Sequence, residues 1–329
     1  MDPDELLKFT KPSRYMDGEV NSVHKDLSRV RLKFALAFPD VYEVGMSHLG
    51  MQILYHILNQ DPEIACERAF VPWPDMERYL QERSLPLTSL ESSLPLRSFE
   101  IIGFSLQYEL NYTGVLTMMH LSGIPFRASE RDGGDPLIIG GGPCAMNPEP
   151  IADFFDLFVL GDGEEVILEI CRETIAGHKE KMSKEDLLVR LSRIVGVYVP
   201  SFFRIRYEPD GRIREVLPRQ GRSTPITRRV LADLNQGLFP SRPVLPFMEI
   251  IHDRLNIEVA RGCTRGCRFC QAGMIYRPMR ERSPQKVLQL IASGLRQTGY
   301  DEVSLLSLST GDYSCLEPLL SSLINLYIS

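Results

Sequence analysis

A run of 18 apolar residues, the least that would span a bilayer as a helix, is missing from this chain of 329 residues, so no membrane segment is expected. The amino end, MDPDELLKFTKPSRYM, also lacks the basic-then-apolar order of an export signal, and a cytoplasmic location is the expectation. Basic excess is absent too. Lys and Arg number 37 against 43 Asp and Glu, a net charge of −6, which argues against a chain built to coat nucleic acid. Neither GxxxxGK followed by Ser or Thr nor GxGxxG occurs, so the P-loop and the dinucleotide fingerprint are both unavailable. Tryptophan is nearly lacking; the single Trp73 lies between two prolines, where it is either a packing anchor or a cover over a crevice. What is present is ordinary globular material, 43% hydrophobic and 24% charged, which excludes collagen, coiled-coil and disordered classes.

At about twice the usual domain length, the chain reads as two domains. Residues 1–30 are polar, with little periodicity, and read as an irregular or helical leader without assigned chemistry. Over 31–195 strands and helices alternate. RLKFALAFP, FEIIGFSLQ and PLIIGGG read as strands, SHLGMQILYHILN and Thr113 to Leu121 as helices, and DLFVLGDGEEVILEIC as a further strand and helix, so a parallel sheet in an α/β domain is expected. The apolar runs end at GFS, GGGP and GDGEE, small or polar stretches of the kind found where strand ends open on a ligand crevice; tight turns are the plainer explanation for any one of them. Residues 196–247 read as a β-hairpin turning at Pro209, Asp210 and Gly211, then a surface connector rich in Pro and Arg. The remainder, 248–329, reads as β-loop-α-β-α. Two strands are too few to close a (β/α) barrel of about 200 residues or more, so this domain is expected to be incomplete at its carboxyl end.

Seven cysteines are an odd number, and Cys263, Cys267 and Cys270 crowd into ARGCTRGCRFCQAG directly after the strand LNIEVA. Such clustering points to a metal site, not to a disulfide framework. Three thiolates on one Gly-containing loop suit three corners of a cubic iron–sulfur cluster and leave the fourth iron open to substrate. Zinc is the rival. It takes four ligands, and since no second CxxC pair follows, Cys315 or His252 would have to supply the fourth; a non-catalytic zinc-binding module is the corresponding alternative. Arg261, Arg265, Arg268, Arg277, Arg280 and Arg282 flank the loop. Solvation is the usual role of surface arginine, and tuning a negatively charged cluster, binding a carboxylate or meeting an electron donor is the functional one. Cys66, Cys144 and Cys171 are scattered and read as small buried hydrophobes.

CxxxCxxC with Phe269 before its third cysteine resembles the radical SAM superfamily. That resemblance implies a [4Fe-4S] cluster on Cys263, Cys267 and Cys270 and S-adenosyl-L-methionine on the open iron, with Phe269 near the adenine. It also implies reductive cleavage to a 5′-deoxyadenosyl radical and a reductant such as a ferredoxin or flavodoxin. Where the family carries a Gly-rich stretch that receives the methionyl amino group, this chain has STGDY, which makes Gly311 and Asp312 the candidates; the common GGE form is absent. No catalytic residue and no substrate is assigned. FPDVYEVGMSHLGMQIL, EIIGFSLQYELNYTGVL and PLIIGGGPCAMNPEPIADFFDLFVLGDGEE, with CERAFVPWPDME, are similar to a cobalamin-binding-like domain preceding the radical SAM barrel, in an uncharacterised family that fuses the two. The fold implied is a Rossmann-like parallel-sheet domain followed by the first β/α units of a partial TIM barrel. DxHxxG, the motif that ligates cobalt from below, is absent, and His48 lies in SHLG with Met46 two positions before it. A cobalamin would then bind without a protein histidine; the other outcome is a domain that keeps the fold and binds none. Methylthiotransferases, a neighbouring group, hold a second cluster with three amino-domain cysteines, and Cys66, Cys144 and Cys171 keep that two-cluster alternative open.

Overall fold

The computed structural model of the protein describes residues 3–219 and 225–327. Residues 220–224 of the expected connector, with 1–2 of the leader and 328–329 of the second domain, lie outside the described residues. Strand β1 (Leu32–Phe38) and strand β2 (Ile64–Phe70) are buried almost throughout, as near-continuous apolar strands are when helices cover both faces of a parallel sheet. They join β3 (Ile101–Ser105), β4 (Leu137–Gly141), β5 (Leu157–Val159) and β6 (Val197–Tyr198) in the order β2-β1-β3-β4-β5-β6. The first five strands run parallel, while β6 is antiparallel to β5. This edge departs from the sequence expectation. Val197 and Tyr198 read as part of the hairpin, but they pair with Val159 and Phe158 because a two-residue strand leaves no alternation to detect.

Alternate strand residues face opposite layers. Phe34, Leu36, Ile139 and Val159 share one buried cluster with helix α1 (Leu49–Gln60), whereas Ala35, Ala37, Ile102 and Phe104 share another with α2 (Pro74–Glu82) and α3 (Asn111–Leu121). Helices α4 (Val166–Lys179) and α5 (Lys184–Leu191) complete the first layer. With β2 and β3 on opposite sides of β1, the chain order reverses at β1, and such a reversal opens a crevice at the carboxyl ends of the strands. The leader packs onto this unit. Its Arg14 is buried, pairing with Glu43 at 2.8 Å and lying 4.5 Å over the Trp73 ring.

A hairpin of β7 (Phe203–Tyr207) and β8 (Ile213–Pro218) follows, where the sequence places it. Beyond it β9 (Leu255–Glu258) will pair in parallel with a later strand, and β10 (Ala260–Arg261) pairs antiparallel with β11 (Arg280–Glu281). Helix α6 (Pro284–Thr298) opens on Ser283, whose side chain accepts the Lys286 N–H, and ends at the left-handed Gly299. Strand β12 (Val303–Leu306) returns beside β9, and α7 (Leu316–Tyr327) closes the described chain. Leu255, Ile257, Val287 and Ile291 belong to the same buried cluster as Phe34 and Leu36, so one apolar core runs through both sheets. Among the described residues no helix is long and apolar enough to cross a membrane.

Candidate functional site

Where β1, β3, β4 and β5 end, a cavity of about 410 Å³ opens between the first sheet, α1 and the ends of β9 and β12. Its floor is apolar, made by Phe34, Leu36, Ile139 and Val159 opposite Ile53 and Ile167. Gly141 borders this space with no atom within 4 Å of where a Cβ would stand, so any larger residue would fill it. One wall is polar: His48, Ser105 and Gln107. The Gln107 amide donates to Ser105 Oγ at 2.8 Å, and His48 caps α1 by accepting the Met51 N–H on Nδ1 at 3.3 Å. Burial pulls the His48 ring down to about 4, against an opposing hydrogen bond with Gln107, so the ring is neutral near pH 7. With Nδ1 accepting, the proton of the neutral ring sits on Nε2, which leaves His48 no lone pair for a metal.

The opposite end of the cavity is bordered by Arg261, Gly262 and Tyr276, which flank the cysteines in the chain. Strands β10 and β11 form the neck of loop 262–279, which carries all three. Gly262 opens the loop at φ 91°, and a Cβ there would stand 2.6 Å from the Tyr276 carbonyl oxygen; only glycine suits both constraints. Cys263, Cys267 and Cys270 are free thiols, Cys267 exposed and its neighbours half-buried. The Arg265 N–H donates to Cys263 Sγ at 3.4 Å. Among the described residues no three His, Cys, Asp or Glu side chains converge on a point that would hold one metal ion, and neither Cys315 nor His252 completes such a set. A tetrahedral zinc and a cubic cluster would each draw such ligands together, the cluster with one thiolate per iron. Phe269 is 92% exposed, which rules out packing within the loop as its role.

Gly311 and Asp312 lie in the turn Thr310–Asp312 after β12. Asp312 accepts from Arg265 Nε at 2.6 Å, again from the same guanidinium, and from Ser309 Oγ at 2.7 Å. The Arg265 guanidinium holds the Asp312 carboxyl below the usual range and draws this turn against the cysteine loop. Two segments that the resemblance assigned to one cosubstrate, 263–270 and 309–313, are thus brought together. Gly311 has open space where a side chain would be.

Solvation fails as the account of three of the flanking arginines. Arg261, Arg280 and Arg282 are buried or nearly so. Arg261 reaches Glu258 at 2.8 Å, Glu164 at 2.6 Å and Asp162 at 3.1 Å; Arg280 pairs with Asp162 and Arg282 with Glu258 at 3.2 Å. Burial opposes the charge on Arg261, but Glu258 and Glu164 outweigh it. Their pairing escaped sequence reasoning; the available signal was a basic run after Glu258 matched by an acidic GDGEE. Arg268 and Arg277 are exposed. Cys66 lies inside β2, Cys171 inside α4 and Cys144 on the turn after β4, each buried with its thiol pushed up by burial, the condition of unreactive cysteine. Trp73 does not border the cavity; it anchors Arg14.

Residues 50–200 match the family described as radical SAM proteins, N-terminal. The uncharacterized protein MJ0966 of Methanocaldococcus jannaschii is 23% identical over 288 residues, 87% of this chain and 51% of the relative. Among solved structures, the radical S-adenosylmethionine methyltransferase TsrM from Kitasatospora setae, with cobalamin and a [4Fe-4S] cluster bound, is similar at a TM-score of 0.51 and 13% identity, over 90% of this chain and 51% of that one. The same enzyme with tryptophan substrate and a SAM analog bound gives a TM-score of 0.48 and 15% identity, over 89% and 51%. The chain therefore spans about half the length of the relatives it matches. At such identity the structural likeness is one of fold: α/β with a mainly parallel central sheet.

Proposed function

We propose that the protein is a radical SAM enzyme with a corrinoid-binding unit over 31–195 and a cluster-binding unit from 248 onward. When bound, a reduced [4Fe-4S] cluster with S-adenosylmethionine on its open iron supplies one electron to the sulfonium and thereby a 5′-deoxyadenosyl radical. Cys263, Cys267 and Cys270 would hold the cluster, and Gly262 gives their loop its entry angle. Gly311 offers uncovered backbone for the methionyl end of the cosubstrate, with Asp312 kept ionised by Arg265. Phe269, free of packing, is available to cover the adenine.

The crevice has the features that a corrinoid requires of a protein without an axial histidine. Its apolar floor takes an apolar portion, Ser105 and Gln107 offer hydrogen bonds, and His48 is committed elsewhere. At about 410 Å³ it suits a ligand, or part of one, of drug-like size, so a whole corrinoid would occupy it only in part. The electron source would be a ferredoxin or flavodoxin, and a reducing, cytoplasmic setting fits seven unpaired cysteines.

One observation carries this reading: three free cysteines on a single loop, pinned at its neck by β10 and β11 and tied through Arg265 to the turn bearing Gly311. Anaerobic reconstitution is the test. Brown protein with about four irons per chain is expected, and alanine at Cys263, Cys267 and Cys270 together should remove iron and colour. About eight irons would favour the two-cluster methylthiotransferase instead, and colourless protein holding zinc would overturn the proposal. Release of 5′-deoxyadenosine from S-adenosylmethionine then checks the reaction.

A further inference from the structure

We infer that Arg261 is a positioning residue that links the occupant of the crevice to the cysteine loop, an inference that rests on the function proposed above. Its guanidinium spends all three nitrogens on carboxylates from two sheets: Nη1 on Asp162 at 3.1 Å, Nη2 on Glu164 at 2.6 Å, and Nε on Glu258 at 2.8 Å. Asp162 and Glu164 belong to the turn that follows β5; Glu258 ends β9. All four residues border the cavity. Arg280, opposite Arg261 in the β10–β11 pair, takes the other oxygen of Asp162. Arg282 takes Glu258. Three arginines thus meet three carboxylates, none of the six side chains more than 15% exposed, in a setting where salt screens little.

From this knot the chain reaches a cluster ligand in two residues. Gly262 stands between Arg261 and Cys263, wedged against the Tyr276 carbonyl, so the loop has no slack at that end. The other tether, Arg265 to Asp312, has its guanidinium in solvent and is screened there. A molecule seated against Gly161, Gly163 and Glu164 shifts the carboxylates that fix Arg261, and the shift passes by rigid backbone to Cys263. A stability role alone would hold the sheets together without making one ligand's affinity depend on the other.

Coupling between two sites is reciprocal, so it is measurable from the crevice side. Hydroxocobalamin binding to the full chain is determined by equilibrium dialysis, anaerobically, with the chain iron-free and again after reconstitution. In the unsubstituted protein the two affinities should differ at least about fivefold, the lower end of ordinary coupling. Arg261→Lys keeps the charge but not the three-way reach, and Glu164→Gln removes only the crevice-side link while Arg261 keeps Asp162 and Glu258. Each should bring the two affinities within about twofold of each other when compared at the iron loading of the unsubstituted protein, whatever the iron-free affinity itself becomes. Equal affinities in the unsubstituted protein, or coupling that survives both substitutions, overturn the inference. Absence of any hydroxocobalamin binding to the iron-free chain would overturn the corrinoid assignment and this inference together, and is told apart because it shows before any comparison is made.

Discussion

His48 caps α1 and borders the crevice as a neutral ring, its pKa carried from 6.5 down to about 4 by burial. An unfolded chain takes up a proton near 6.5 that the folded chain refuses. The stability His48 contributes is therefore complete above about 6.5 and is lost as pH falls toward about 4. His48→Asn keeps a good cap and removes the titration. Urea unfolding of the two proteins should diverge by about 1–2 kcal/mol between pH 6.5 and pH 5, the unsubstituted protein losing more. A second residue is Glu43. Burial alone would raise its pKa, but Arg14 and Lys11 outweigh burial and hold it at about 2, so its contribution is present above about 4.5 and lost as pH falls toward about 2. Glu43→Gln leaves the Arg14 guanidinium buried without its carboxylate and should cost about 3–5 kcal/mol at neutral pH. Emission from Trp73, the lone tryptophan, reports the change directly, since Arg14 lies over its ring.

Loop 262–279 shows how an element acquires a shape that its own residues do not dictate. Its neck is a ribbon of two residues on each strand, too little to stand alone, and arginine pairs to Asp162 and Glu258 hold it from both sides. The entry is strict. Gly262→Ala combines a positive φ with a carbonyl oxygen 2.6 Å from the new methyl group, so the loop must shift. Iron retained after anaerobic reconstitution should fall well below half that of the unsubstituted chain while circular dichroism stays unchanged; full iron loading would show that the cysteines tolerate a displaced entry. Helix α6 needs no such support. Ser283, Pro284 and Gly299 set its ends from sequence alone, within two residues of where the pattern puts them.

At the scale of the molecule the crevice exists because two sheets meet. Strand ends of the first supply the apolar floor, and β9, β12 and Arg261 supply the far wall. Gly141→Leu adds a side chain to open space without disturbing a neighbour, so it should leave the thermal midpoint nearly unchanged and weaken hydroxocobalamin binding at least tenfold by dialysis. Unchanged affinity would place the corrinoid elsewhere. Both sheets share one buried cluster, which makes the crevice a fixed feature of the packed molecule.

Much of this was legible in the amino-acid order. Alternating apolar runs gave the parallel strands and their helices, small residues at GFS, GGGP and GDGEE marked the crevice edge, and three cysteines in eight residues marked the candidate cluster loop, because these are local properties of spacing and backbone freedom. Tertiary structure alone decided what the arginines do. Whether Arg261, Arg280 and Arg282 meet water or carboxylates depends on which distant segment packs over them, and about a hundred residues separate Arg261 from Glu164. The same holds for His48, whose ring stays neutral well below pH 6.5 only because the fold buries it, and for Asp312, whose partner lies 47 residues away. Charge pairing and burial are set by distance in space, and sequence spacing does not encode them.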